Sequence, residues 1–376
     1  MTGRLIAVVA EGQPAFVDAL LRAWDDGDAV FPLDPRLPRP AAEALLEAMG
    51  PSVLVDTGGE THARPGGVPV DQGVALVVAT SGSTGAPRGA VLTHDAVGAA
   101  ALATSASLAV DSGRDRWLAC LPLAHVGGLS VVTRALATAT PLTLLARPEP
   151  SLVENAARRG ATLVSLVAAV LPQVDVARFR WVLVGGSAPP PDRPPNVVST
   201  YGMTETGGGV VYDGRPLSEV EVRAVDGELQ VRGPMLLRCY RDGTDPKDAD
   251  GWLSTGDAGS VAGDGSVAVI GRMAEVIVTG GEKVWPAPVE AVLGRHPDIA
   301  EVAVAGRADP RWGARVVAYV VPADPSSPPA LEEMRSWAKE RLPAYAVPRE
   351  LVVVPALART ALGKLRRADL PSDRSV

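Results

Sequence analysis

The sequence predicts an α/β fold: a large N-terminal domain of βα-layered sheets that includes a small β-rich subdomain, followed by a small α+β C-terminal domain. Three observations predict it. The first two-thirds of the chain alternate short apolar runs with helix-like stretches, the pattern of βα units around a largely parallel sheet. Between Val220 and Ile270 the helix signal fades, and Asp226-Gly227 and Asp264-Gly265 punctuate short strands as hairpin turns do. After Gly271 the alternation restarts over about a hundred residues, an ordinary domain size. The boundary is therefore placed there, giving domains 1–271 and 272–376.

In chain order, strands are expected near Val53–Val55, Val74–Val78, Trp117–Leu121, Leu142–Leu145, Leu163–Leu166 and Trp181–Val184. Helix-forming composition with turn residues at the edges marks Ala96–Ala109, Gly128–Ala139 and Leu152–Gly160. The last domain reads as a strand at Val276–Thr279, a helix over Pro286–Arg295, strands at Glu301–Gly306 and Arg315–Val321, and a helix over Ala330–Arg341. No repeat or low-complexity tail interrupts this order.

Composition narrows the function classes. The 376 residues exceed one ordinary core. The apolar run Leu5–Ala10 is too short for a signal peptide or an anchor, and no run approaches the ~20 residues a membrane span needs. Cys120 and Cys239 are the only cysteines, which fits a reducing cytoplasm and excludes a disulfide framework. His62, His94, His125 and His296 show no ligand spacing. A net charge of -7 argues against nucleic acid as a partner, so any phosphate site must be built locally. Of the 36 basic residues only Lys247, Lys283, Lys339 and Lys364 are lysine, so a lysine in a chemically suggestive place carries weight.

The strongest local signal is the loop Thr80-Ser81-Gly82-Ser83-Thr84-Gly85-Ala86-Pro87-Arg88-Gly89, which follows a predicted strand. Its glycines let backbone N–H groups face an anion, and its hydroxyls add donors. It lacks the Gly-Lys-Ser/Thr of a Walker A loop. Read alone, a flexible Gly/Ser connector remains an alternative. A second signal is Ser199-Thr200-Tyr201-Gly202-Met203-Thr204-Glu205, which joins an aromatic face, a hydroxyl and a carboxylate suited to a hard cation. Alone, it also reads as a strand-to-loop turn.

Together these segments resemble the adenylate-forming acyl-CoA synthetase superfamily. Further likenesses follow in that family's order: Gly185-Gly186-Ser187, Ser254-Thr255-Gly256-Asp257, Gly271-Arg272 and Arg359-Thr360-Ala361-Leu362-Gly363-Lys364. The segment Ala29–Pro35 extends the likeness towards the N-terminus, where most of the subdomain that longer members carry is missing. The resemblance implies ATP, Mg²⁺ and CoA as cofactors. Thr80, Ser81, Gly82, Ser83, Thr84 and Gly85 would cradle phosphates, with Arg88 offsetting charge. Gly185, Gly186, Ser187, Tyr201, Gly202 and Met203 would meet the adenine, and Thr204 the α-phosphate. Glu205, with Thr84, would hold the metal, Asp257 and Arg272 the ribose, and Lys364 the reacting carboxylate and phosphate. It also implies a mobile C-terminal domain, which turns at a hinge to present Gly280 and Gly281 to CoA.

Leu121–Ser130 is similar to the pocket segment of 2-succinylbenzoate–CoA ligases of menaquinone synthesis, and Thr204–Gly209 and the reduced N-terminus match short members of that group. The likeness implies an acyl pocket with His125 and Gly207. A lone histidine in an apolar segment can equally be a packed core residue. The second carboxylate of the diacid needs a cation, and Arg134, on the helix after His125, is the candidate. Two positions depart from the family pattern: Ala86 and Arg88 replace lysines in the loop, and Ala274 stands where relatives place a charged hinge residue. The expected partners are a small carboxylic acid, ATP and CoA, with no nucleic acid or membrane, and a homo-oligomer is left open. Rival readings are a ligase for another aryl or medium-chain acid, an enzyme loading a carrier protein, and a silent ATP-binding regulatory relative.

Overall fold

A computed structural model describes residues 2–80, 87–186, 192–359 and 365–371. The chain divides into two compact units: residues 1–222 with 231–253, and residues 223–230 with 254–376. This division differs from the boundary expected after Gly271, because residues 223–230 and 254–271 group with the C-terminal residues.

The first unit holds two seven-stranded sheets. In one, Leu5–Val9 lies between the parallel strands Ala29–Leu33 and Val53–Val55, and Val74–Thr80 follows beside Ala29–Leu33. Val74–Thr80 then pairs antiparallel with Arg88–Thr93, whose far edge takes the short strand Cys239–Tyr240. In the other, Leu142–Leu144, Trp117–Ala119, Leu163–Leu166 and Trp181–Gly185 run parallel near their expected positions, and Val197–Met203 adds a parallel strand that was not expected. Gly208–Tyr212 and Arg215–Pro216 close it antiparallel through an Asp213-Gly214 turn, with φ of 47° and 76°. Apolar side chains of the parallel strands meet Val153 and Ala156 of the helix Pro150–Arg158 in one buried cluster. These strands are nearly continuous apolar runs because both faces are covered.

The helices start where local chemistry places them. His94–Ser107 begins at Thr93, whose hydroxyl accepts from the Ala96 N–H at 3.1 Å, and Asp95 sits favourably in its first turn. Val126–Ala137 starts beside Leu121 and Pro122, so close that a Cβ on Gly128 would lie 2.4 Å from the Leu121 carbonyl oxygen. That contact fixes the helix start and places His125 at its N-cap. The strand Leu5–Val9 and the helix Pro14–Asp25 are not among the expected elements.

In the second unit, Leu253–Val261 pairs antiparallel with Val267–Arg272 across the Asp264-Gly265 turn, as the hairpin signal predicts. Asp226-Gly227, with φ of 51° and 82°, likewise joins Glu221–Val225 to Glu228–Arg232. A five-stranded sheet centred on Gly313–Pro322 packs the helices Pro286–Leu293 and Leu331–Lys339 against it through Val289, Leu293, Met334 and Ala338. Among the described residues no helix is long and apolar enough to cross a membrane.

Candidate active site

In α/β sheets ligands gather at the carboxyl ends of the parallel strands, and the motif residues of the first unit collect there. Trp181–Gly185 and Val197–Met203 end side by side, with Gly185 paired to Thr200. A Cβ on Gly185 would meet the Thr200 hydroxyl at 2.5 Å, and Gly186, with φ of 80°, turns the chain away. These contacts demand glycines whatever binds beside them.

Tyr201 and Gly202 sit at a bulge opposite Gly209 and Val211. Thr204 and Glu205 then enter a single 3₁₀ turn, Thr204–Thr206. The fully buried Thr206 hydroxyl accepts from the Met203 N–H (3.0 Å) and reaches the Met203 and Gly208 carbonyls (2.9 and 2.6 Å). Thr206 thus locks the turn that presents Thr204 and Glu205, both half-buried.

Thr80 ends its strand directly across from Arg88, so the two described residues nearest the phosphate-type loop on the paired strands face each other. Ser81, Gly82, Ser83, Thr84 and Gly85 lie outside the described residues, as do Ser187 and Lys364. Arg88 places its guanidinium 3.8 Å from the centre of the Tyr240 ring and donates to Asp242 at 3.2 Å. Tyr240 in turn donates its hydroxyl to Glu205 Oε1 at 2.9 Å. Burial first, then the Glu205 charge, pushes that phenol up to about 12, so it stays protonated. Sequence reasoning missed Tyr240, although it is one of only five tyrosines.

At the head of its helix His125 stands 3.5 Å from Asp34, which also holds Arg36 at 2.6 Å. Burial pushes the imidazole below its ordinary value, and Asp34 only partly opposes this. Burial acts to raise the Asp34 carboxyl, but the Arg36 hydrogen bonds outweigh it and hold that carboxyl low.

Arg134 is 4% exposed. Its Nη2 stands 3.5 Å from the Tyr212 hydroxyl, which shares a 3.1 Å hydrogen bond with Thr104, and the guanidinium lies 5.5 Å from the centre of the Trp117 ring. Nε and Nη1 have no hydrogen-bond partner among the described residues. A crevice beside it is lined by Ser130, Thr133 and Gly207 to Gly209. Gly208 adopts φ of 150° against Ser130 and Arg134, and a Cβ on Gly209 would lie 2.6 Å from the Tyr212 ring. A buried cation with two donors unmet is costly, and the crevice beside it is too narrow as it stands to hold a water molecule.

In the second unit Asp257 is buried, and Arg272, directly across the hairpin, reaches its Oδ1 at 3.1 Å. Arg272 also donates to the Thr255 carbonyl at 3.1 Å, so the two expected ribose residues come together. Gly280 and Gly281, with φ of 60° and 87°, form the two-residue turn between Ile277–Thr279 and Glu282–Val284, and both are exposed. Ala274 lies in the 3₁₀ turn Met273–Glu275. His62, in the first unit, is hydrogen-bonded to Asp56 in a surface group with Glu60 that includes none of the motif residues.

The chain is similar to known proteins of one family. Residues 59–241 match the AMP-binding enzyme family, and residues 288–364 match the AMP-binding enzyme C-terminal domain. A probable 2-succinylbenzoate–CoA ligase of Mycobacterium tuberculosis is 41% identical over 364 residues, covering 88% of this chain and 93% of that protein. The 2-succinylbenzoate–CoA ligase of Bacillus cytotoxicus is 33% identical over 335 residues, covering 78% and 69%. Among solved structures, o-succinylbenzoate CoA synthetase from Bacillus subtilis in complex with its acyl-adenylate intermediate superposes with a TM-score of 0.87 at 27% identity, covering 99% of this chain and 89% of that one. The same enzyme with ATP and magnesium ion gives 0.85 at 27% identity, covering 98% and 89%.

Proposed function

The chain belongs to the AMP-binding enzyme family, and from that premise we propose that it is an AMP-forming acid–CoA ligase acting on 2-succinylbenzoate. The substrate carboxylate attacks the α-phosphorus of ATP, the bond to the β-phosphate oxygen breaks, and pyrophosphate leaves with the electron pair. The thiol sulfur of CoA then attacks the acyl-adenylate carbonyl, gives up its proton, and displaces AMP. The observation that carries the choice of acid is Arg134, buried with two unmet donors beside a glycine-lined crevice. 2-Succinylbenzoate keeps a second carboxylate that takes no part in the chemistry and needs such a partner.

The other residues take the roles that the resemblance implies. Arg88 offsets charge on the departing pyrophosphate, while Thr80 and the loop Ser81–Gly85 cradle it. Gly185, Gly186, Ser187, Tyr201, Gly202 and Met203 shape the adenine site, Thr204 meets the α-phosphate, and Asp257 with Arg272 takes the ribose. His125 borders the acyl pocket with Gly207, and Lys364 contacts the reacting groups. The segment around Gly280 and Gly281 receives CoA once the domain 272–376 has turned.

A hard divalent cation fits Glu205, which is half-buried and commits Oε1 to Tyr240, while no described residue takes Oε2. Glu205 and Thr84 would hold Mg²⁺, which when bound supplies positive charge to the phosphates. The same reading places the protein in the cytoplasm, acting on small molecules.

Pyrophosphate release measured over a panel of acids with ATP, Mg²⁺ and CoA tests the reading. The expected result is a kcat/KM for 2-succinylbenzoate well above that for 4-oxo-4-phenylbutanoate, which lacks the second carboxylate. Equal values for both acids contradict it.

A further inference from the structure

The loop arginine and the expected metal carboxylate do not form an ion pair, although both meet the same side chain. Arg88 stacks on one face of Tyr240, and Glu205 accepts that residue's hydroxyl. The sheet dictates this contact. Tyr240 pairs with Ala90, and Arg88, two residues from Ala90, emerges on the same face as its diagonal neighbour.

We propose that Tyr240 is a positioning residue for the adenylation half-reaction: its hydroxyl orients Glu205 for a divalent cation, and its ring keeps the Arg88 guanidinium apart from that carboxylate. Direct pairing of Arg88 with Glu205 would neutralise both charges before nucleotide arrives. With both groups engaged by Tyr240 rather than by each other, the carboxylate keeps Oε2 for the cation, and the guanidinium, tethered among the described residues only at its Nη2 to exposed Asp242, keeps its other donors for phosphate oxygens. This proposal rests on the assignment of Glu205 as the metal-holding residue.

The support around Tyr240 is rigid enough for such a role. Its neighbour Arg241 donates to the carbonyls of Met49, Val68 and Pro69. Lys247 Nζ donates to the carbonyls of Leu237 and Arg238 at 2.8 and 2.9 Å. The Leu237 N–H donates to the Glu205 carbonyl at 2.8 Å, fastening the strand to the turn whose side chain it orients.

The test uses Tyr240→Phe, which removes the hydroxyl and keeps the ring, alongside Glu205→Gln. Enzyme-bound Mn²⁺ is followed by electron paramagnetic resonance in the presence of a non-hydrolysable ATP analogue, and melting temperature is measured for each variant. Tyr240→Phe is expected to bind Mn²⁺ roughly tenfold more weakly than the parent, with nucleotide affinity in EDTA and melting temperature nearly unchanged. Parent-like Mn²⁺ affinity in Tyr240→Phe, with weakened affinity in Glu205→Gln, overturns the role of Tyr240 alone. Parent-like affinity in Glu205→Gln overturns the metal assignment and the inference with it. Loss of nucleotide affinity in EDTA or of melting temperature, to the same degree as metal affinity, marks Tyr240 as structural and also overturns the proposal.

Discussion

At the residue scale, the site's demands follow from charges removed from water. Arg134 is the clearest case, because leaving two buried donors unmet costs about 1–3 kcal/mol each and an incoming carboxylate recovers that cost. Arg134→Leu should therefore raise KM for 2-succinylbenzoate by about 10- to 100-fold while leaving KM for 4-oxo-4-phenylbutanoate nearly unchanged. Steady-state kinetics with the two acids decides this, and an unchanged KM for the diacid removes Arg134 from the pocket. His125 gives a pH-dependent prediction. Burial holds its folded-state value below 6.5, so as pH falls through 6.5 the unfolded chain takes up a proton that the folded chain refuses. The wild type should lose more melting temperature than His125→Gln between about pH 7.5 and 5.5, since the variant lacks this penalty. Equal losses contradict a buried neutral imidazole. The residues in the motifs were legible because phosphate, metal and ribose chemistry restricts which side chains serve. Tyr240, Tyr212 and Asp34 were not legible. Each reaches the site through pairing or packing across dozens of residues, and no local pattern announces that.

At the element scale, glycines separate backbone necessity from ease of substitution. A Cβ on Gly202 would lie 2.0 Å from the Gly208 carbonyl oxygen, inside the bulge that turns Tyr201 and Glu205 towards the site. Gly98, in the middle of the helix His94–Ser107, has nothing within 4 Å of such a Cβ. Gly202→Ala should destabilise the protein by about 2 kcal/mol or more, whereas Gly98→Ala should stabilise it by about 0.5–1 kcal/mol. Urea melts of both variants test the contrast, and a neutral Gly202→Ala would mean the bulge relaxes freely. Hairpins with Asp-Gly turns were readable because only a few residues tolerate positive φ, as Asp226-Gly227 shows. The antiparallel partners Arg88–Thr93 and Gly208–Tyr212 were harder to read. Their apolar runs follow directly on glycine-rich loops, and periodicity does not tell a returning strand from the start of a helix.

At the scale of the whole molecule, each unit brings its own set of expected contacts together. The first carries Thr80, Arg88 and Tyr201 on its sheets, His125 at the N-cap of the helix that bears Arg134, and Thr204 and Glu205 in a 3₁₀ turn, and the second pairs Asp257 with Arg272. The βα alternation made the fold class readable, but strand order was not. The sheet that begins with Leu5–Val9 closes only when Cys239–Tyr240 joins its edge, more than two hundred residues later, and that long-range pairing puts Tyr240 beside Arg88. In the proposed reaction the chain makes an acyl-adenylate of 2-succinylbenzoate and then transfers the acyl group to CoA. The most direct measurement is mass spectrometry of the protein incubated with ATP, Mg²⁺ and 2-succinylbenzoate, before and after adding CoA. 2-Succinylbenzoyl-AMP and pyrophosphate are expected before CoA, replaced by 2-succinylbenzoyl-CoA and AMP afterwards. Hydrolysis of ATP to ADP, or no adenylate with this acid while another acid forms one, would contradict it.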